Sequence, residues 1–171
     1  KKHKHIHYAR GTVVLVTGNE GSSWKVISPD LPRNDVTKMG PSGGPVTVNT
    51  TGPEHDGTIF AFAESPRRRG VLWAGSDDGL VHVSMDDGKS WENVTPPEMP
   101  EWAMVSGLEP SPHDPATTYV AANRYQSGDY QPYLFKTNDY GKTWRNIVEG
   151  IKEIDFTRVI REDPGRRGLL Y

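Results

Sequence analysis

The chain has no cysteine among its 171 residues. A disulfide scaffold, a thiolate metal site and a cysteine nucleophile are therefore excluded. It also lacks any apolar run near the roughly 20 residues that a bilayer-spanning helix requires. Charge is almost balanced, with a formal net of −2. No global electrostatic pull toward nucleic acid or a membrane surface is expected from that balance. No glycine-rich phosphate loop and no Ser-His-Asp signature occurs, so neither phosphoryl nor serine-hydrolase chemistry has a carrier. No cofactor is expected. His3, His5 and His7 alternate and would share one side of a strand, which permits adventitious metal binding at a frayed terminus; His55-Asp56 is too short a signal, and no metal site is expected.

Glycine (18) and proline (14) are abundant, as in a turn-rich all-β protein. The length suits one domain. The order lies in a repeat. Ser84-Met85-Asp86-Asp87-Gly88-Lys89-Ser90-Trp91 has the pattern Ser/Thr-x-Asp-x-Gly-x-x-Trp, which returns in 137–144 around Thr137, Asp139, Gly141 and Trp144. A variant with Asn in the Asp position occupies 17–24, on Thr17, Asn19, Gly21 and Trp24. Each copy stands between two short strand-like runs, which places it on a β-hairpin turn. Hydroxyl and carboxylate can bond nearby backbone N–H groups, and glycine takes the φ > 0 position. The three tryptophans are expected in equivalent, largely buried places between sheets.

A second period supports the first. Pro66, Pro112 and Pro164 each stand seven positions before an aromatic, Trp73, Tyr119 and Tyr171. Runs at 58–63, 104–108 and 156–160 precede these prolines. The repeating unit is read as four strands, A to D: A ends at the proline turn, B carries the aromatic, C leads into the Ser/Thr-x-Asp turn and D follows its Trp. Four antiparallel strands, repeated, make a propeller blade. The expected fold is an all-β propeller segment of about three four-stranded blades. Its parts are a partial blade over 1–28 with Tyr8 in the aromatic position, a connection over 29–57, blades over 58–102 and 103–154, and the start of another over 155–171. Helix is expected at most as one turn over 149–154. The start at Lys1-Lys2-His3, without an initiator Met, reads as an interior cut or processed start. Two whole and two partial units would leave long sheet edges, so the sequence reads as a piece of a larger propeller, completed by more of the same polypeptide or by a second chain.

The turn pattern resembles the Asp-box, or BNR repeat, of sialidase-like and sortilin-like β-propellers. Residues 27–31, 72–79 and 136–144 extend the resemblance to large secreted bacterial Asp-box proteins of the sortilin-like or glycosyl-hydrolase-like kind. The resemblance implies that the boxes are architectural rather than catalytic, and that the protein is secreted, extracellular or periplasmic. The Arg-Ile-Pro-type motif of sialidases does not occur.

In a four-stranded meander, the A–B and C–D turns lie at one end and the B–C and D–A connections at the other. The latter end of a propeller usually receives the ligand. Asp77, Asp78, the 124–130 loop and the long connection are thus the candidate lining. A pair drawn from Asp77 or Asp78 with Asp129 would suit glycoside hydrolysis if the carboxyl groups stood about 5–9.5 Å apart; equally, Ser76-Asp77-Asp78-Gly79 reads as a plain hairpin turn. Tyr125 and Tyr130, with Arg124, would contact a sugar or a protein, because long loops often carry function. Glu64, Glu109 and Glu162 recur before the proline turns, where repetition implies a structural role. Arg67-Arg68-Arg69 and Arg166-Arg167 form a basic stripe at the Asp-box end, read as solvated turns. Asn49 and Asn93 head glycosylation sequons. The functional expectation is an extracellular module that binds a polysaccharide or protein; the alternatives are a glycoside hydrolase and a scaffold segment completing a larger assembly.

Overall fold

A computed structural model describes residues 7–33, 35 and 57–171. Most of the long connection, His3, His5, His55, Asn49 and the first residues of the expected opening strand lie outside the described residues.

Three antiparallel sheets follow one another along the chain. The first is a meander of β1 (His7–Arg10), β2 (Val14–Thr17) and β3 (Lys25–Val26). The second runs β4 (Ile59–Glu64), β5 (Leu72–Ser76), β6 (Val81–Ser84) and β7 (Glu92–Asn93). The third runs β8 (Met104–Pro110), β9 (Thr118–Arg124), β10 (Asp129–Thr137) and β11 (Arg145–Asn146). The last strand of each sheet (β3, β7 and β11) is two residues long, where the sequence suggested longer ones. Pro29 and Pro96 follow closely, and proline cannot donate to a ladder. In the first two sheets a hydroxyl takes over the next rung: Ser28 accepts the Val14 N–H at 2.8 Å, and Thr95 accepts that of Val81 at 2.9 Å.

The register confirms the aromatic period. Tyr8 pairs with Val16, Trp73 with Val83 and Tyr119 with Lys136. Each partner is the residue immediately before the hydroxyl that opens the repeated turn. The expected first strand of a fourth unit, 156–160, is not a strand; only the bridge between Glu162 and Leu170 forms there. Nor does 149–154 carry a helical turn. The one short helix among the described residues is a 3-10 turn over Tyr125–Ser127.

The middle strands β5 and β9 are buried on both faces, so their successive side chains serve two different neighbours. Trp73 faces the third sheet, among Val105, Leu108 and Val120, while Ala74 faces the first, with Val14 and Ile59. In β9 the same division puts Val120 and Ala122 toward the second sheet and Tyr119 and Ala121 toward Ile160 and the last residues. The core is therefore a series of seams between stacked sheets, each contacting only its neighbours, as in other repeat architectures.

The repeated turns build these seams. In the second turn, Ser84 Oγ accepts the Gly88 N–H at 2.9 Å, and Asp86 accepts the Ser90 N–H at 2.9 Å. Thr137 and Asp139 do the same for Gly141 and Thr143, both at 2.9 Å. Thr17 and Asn19 do it for Gly21 and Ser23, so the neutral amide preserves the geometry. The Ser90 N–H and hydroxyl hold the Asp86 carboxyl below the usual carboxylate range, and the Thr143 hydroxyl and N–H do so for Asp139. The second and third turns each deliver a tryptophan to the preceding sheet. Trp91 Nε1 donates to the Ile27 carbonyl at 2.8 Å, and Trp144 Nε1 to that of Val94 at 2.7 Å. Glycine is required for contact as well as for φ: a Cβ on Gly88 would lie 2.7 Å from the Ile27 carbonyl oxygen, and one on Gly141 2.6 Å from Val94 Cβ.

The three tryptophans are not equally buried, contrary to the sequence expectation. Trp91 and Trp144 are half-buried, whereas Trp24 is 44% exposed. Its turn is the same, but no described sheet precedes it.

A second cross-seam bond uses the aromatic position. Tyr8 donates its hydroxyl to Glu64 at 3.2 Å, and Tyr119 donates to Glu162 at 3.2 Å. Those carboxylates also accept the Gly70 and Gly168 N–H groups of their own turns, at 3.1 and 2.8 Å. The position equivalent to Glu64 in the third sheet is Pro110, not Glu109, because Glu64 pairs with Leu72 and Pro110 with Thr118, each one residue before the aromatic. Glu109 sits one residue early and pairs with Arg161 at 3.2 Å instead. At the seam where proline replaces the carboxylate, the aromatic is Trp73, whose buried Nε1 has no partner.

These contacts predict unequal substitutions. Trp91→Ala is expected to cost about 2–4 kcal/mol, less than a fully buried tryptophan, and Trp24→Ala under about 1 kcal/mol. Urea unfolding of the two variants measures the difference; equal losses would contradict the seam geometry.

Candidate ligand-facing loop end

The β5–β6 turn and the β9–β10 loop lie at the end opposite the repeated turns, together with the segments that enter β4 and β8 and the 149–158 segment that follows β11. Asp77 Oδ1 accepts the Gly57 and Thr58 N–H groups at 2.9 and 2.8 Å. It therefore holds the entry into β4. Asp78 is buried. One of its oxygens accepts the Ser76 hydroxyl, and the other accepts the Arg33 N–H at 2.6 Å. Arg33 returns a bond from Nε to the Asp78 carbonyl at 3.1 Å and lies 5.7 Å over the Trp102 ring. Both carboxylates thus bind the turn to the chain that passes over it.

Asp129 is similarly engaged. It accepts the Tyr133 hydroxyl at 2.7 Å and the Gln131 N–H at 3.1 Å, and lies 3.6 Å from Arg124. The Tyr133 bond, with the Gln131 N–H and Arg124, holds its carboxyl below the usual range. Burial first, and then the Asp129 carboxylate, push the Tyr133 phenol up to about 12. A hydrolytic pair needs one carboxyl group with a raised affinity for its proton. Asp129 is shifted the other way. The structure gives Asp77, Asp78 and Asp129 bonds that order loops.

The aromatic candidates come together. The Tyr125 and Phe156 rings stack at 5.0 Å between centroids and 22° between planes, and Tyr130 lies 6.1 Å from Phe156. The Arg158 guanidinium sits 4.7 Å over Tyr125 and 5.3 Å over Phe156. Tyr130 is 51% exposed, and Arg158 makes no ion pair with a described residue. The result is an aromatic cluster in which Tyr130 is exposed, Tyr125 and Phe156 are half-buried, and one cation lies over the latter two rings. Its supports are local. A left-handed Gly128 closes the 3-10 turn, and a bulge between Asp129 and Tyr133 tips Tyr130 outward from the ladder. On the other side, Thr157 Oγ1 bonds the Ala122 and Tyr133 carbonyls, both at 3.2 Å, and Ser106 bonds the Arg158 carbonyl at 2.7 Å.

Phe156 and Arg158 were missed in the sequence because 156–160 reads as a strand. The available signal was the i, i+2 pair of a ring and a cation, which sends both to one side of an extended segment.

No protein-family model matches the chain, and no curated protein matches it in sequence. Solved structures do resemble it. An ancestral GH74 enzyme superposes with a TM-score of 0.62 at 17% identity, over 94% of this chain and 18% of that one. The GH74 xyloglucanase from Xanthomonas campestris gives 0.58 at 16%, over 95% of this chain and 24% of that one. Both are β-propellers. The chain is a β-propeller segment. A weaker likeness, TM-score 0.47 at 16% identity, is to YCF48 bound to D1 peptide, over 61% of this chain and 30% of that one. The segment thus spans 18% and 24% of the two GH74 chains, and its three sheets are propeller blades. Among the described residues no helix is long and apolar enough to cross a membrane.

One titratable group near the loop end predicts a pH effect. Burial in the second blade pushes the His82 imidazole down to about 4, with Asp78 opposing. Between pH 6.5 and 4 the unfolded chain then binds a proton that the folded chain does not. Stability is complete above pH 6.5 and falls as pH drops toward 4, by about 2–3 kcal/mol. His82→Gln is expected to flatten that part of the stability–pH curve, as read by denaturant midpoints.

Proposed function

We propose that this propeller segment is a non-catalytic binding module, and that it holds an extended polymer, a polysaccharide in the first instance, across the Tyr125–Phe156–Tyr130 surface. The observation that carries this reading is a contrast at one end of the blades. The three candidate acids are occupied by hydrogen bonds, while at the same end Tyr130 and the Arg158 cation are exposed beside the stacked, half-buried Tyr125 and Phe156 rings. Rigid aromatic rings present large apolar faces at small entropic cost, which suits stacking on sugar rings. Arg124, held by Asp129, lies at the base of the same loop. The fold likeness to GH74 enzymes keeps glycoside hydrolysis as the second reading; acids for it would come from blades outside this segment. On this proposal the three Ser/Thr-x-Asp/Asn turns are Asp-boxes of the secreted, sortilin-like or glycosyl-hydrolase-like kind, and further blades complete the ring.

Calorimetric titration with β-glucan oligosaccharides of increasing length tests the proposal, with an extended peptide as the comparison. Binding that strengthens with length is expected, with Tyr130→Ala and Phe156→Ala each weakening it about tenfold, near 1.4 kcal/mol, and no reducing sugar released. Release of reducing sugar would favour the hydrolase reading. Peptide binding without sugar binding, or no binding at all, would overturn the proposal.

A further inference from the structure

The loop-end cluster holds an arginine that is fixed in place but not paired with a described carboxylate. The backbone at Arg158 is held on both sides. The Ser106 hydroxyl donates to the Arg158 carbonyl at 2.7 Å, and Thr157 before it bonds the Ala122 and Tyr133 carbonyls, both at 3.2 Å. Two residues on, Ile160 is buried. The fit against β8 is close: a Cβ on Gly107 would lie 3.4 Å from the Arg158 carbonyl oxygen. Two rings then position the guanidinium, Tyr125 at 4.7 Å and Phe156 at 5.3 Å. Tyr125 belongs to the β9–β10 loop, so the cation is turned toward the loop of the third blade. A long cationic side chain ordinarily loses rotamer freedom when it pairs with an anion. Here the rings and the anchored backbone restrain it beforehand.

Other arginines have carboxylate neighbours. Arg33 pairs with Glu101 at 3.5 Å, and Arg124 lies 3.6 Å from Asp129. Arg161 pairs with Glu109 and Arg167 with Asp114. Arg158 makes no ion pair with a described residue, although the exposed Glu153 and Asp155 precede it closely in the chain. The loop-end acids Asp77, Asp78 and Asp129 are engaged elsewhere. A positioned guanidinium offers a planar fork of N–H donors that matches a carboxylate. The same cluster offers the exposed Tyr130 ring, 6.1 Å from Phe156.

We propose, resting on the binding reading above, that the polysaccharide is acidic: a uronic acid carboxylate takes the Arg158 fork while a sugar ring packs on Tyr130. Arg158 is then the residue that determines specificity, and the aromatic rings hold sugar of either kind.

Calorimetric titration with oligogalacturonates, their methyl esters and β-glucan oligosaccharides of equal length tests the inference, at low and at high salt. The ester keeps the sugar ring and removes only the charge. At low salt the acid series is expected to bind about tenfold or more tightly than its esters, near 1.4 kcal/mol, and salt is expected to reduce the advantage. Arg158→Gln is expected to abolish the difference between acid and ester. Arg158→Lys keeps the charge without the fork and is expected to recover only part of it; unchanged unfolding midpoints check both folds. Binding of the acid series alone, lost in Arg158→Gln, supports the inference equally. Equal binding of acid and ester overturns it and leaves the binding module standing. A preference that survives Arg158→Gln also overturns it, since another cation would then carry the contact. Binding of none of the three series removes the module reading, and this inference with it.

Discussion

The fold depends on an indole N–H reaching a backbone carbonyl in the preceding blade. That bond requires a tryptophan projected at a fixed angle, and a turn tight enough to lie against the neighbouring sheet. The Ser/Thr-x-Asp/Asn-x-Gly-x-x-Trp sequence supplies both. Hydroxyl and carboxylate consume the turn's N–H groups, so the turn needs no help from its surroundings. Two consecutive left-handed residues, such as Asp87 and Gly88, bring its backbone against Ile27. A buried donor left without its acceptor is costly, so each blade is specified partly by the one before it.

The Tyr–Glu bonds add a second constraint, Tyr8–Glu64 in the seam that Trp91 closes and Tyr119–Glu162 between the third blade and the last residues. The carboxylate serves two partners at once, a phenol across the seam and a glycine N–H in its own turn. Where Pro110 removes the carboxylate, the phenol is replaced by an indole that fills the space, packed edge-on against Trp144 at 6.3 Å. The exchange keeps the seam filled and leaves one buried N–H unpaired. Both bonds run along the stack, which leaves the B–C and D–A loops free to vary. That freedom allows the third blade to carry a long loop and an aromatic surface without disturbing the seams.

Much of this was legible in the sequence because the repeats are local. The turn's hydroxyl, Asp and Gly fall within five residues, and the hydroxyl marks the register of the strand before it. The proline-to-aromatic spacing likewise located the middle strands. What failed was everything set by a neighbour. Glu109 stands three residues before its proline where Glu64 and Glu162 stand two, and the strand pairing gives their place to Pro110. Trp24 matches Trp91 in motif but lacks the sheet that would cover it. Residues 156–160 have the composition of a strand, but Thr157 and Ser106 tie that segment to the third blade through side-chain bonds. At the loop end the residue types were found, but their roles divided: Tyr125 and Tyr130 form a surface, while Asp77, Asp78 and Asp129 hold backbone in place. A carboxylate beside glycine looks the same in sequence whether it orders a loop or attacks a substrate.

Hydrogen exchange at the five indole N–H groups, read by NMR at a concentration where the chain is monomeric, addresses the seam bond most directly. The account predicts that the Trp91 and Trp144 indoles exchange about a hundredfold or more slowly than that of Trp24, as expected for groups released only by opening of the structure. Trp91 and Trp144 exchanging as fast as Trp24 would contradict it.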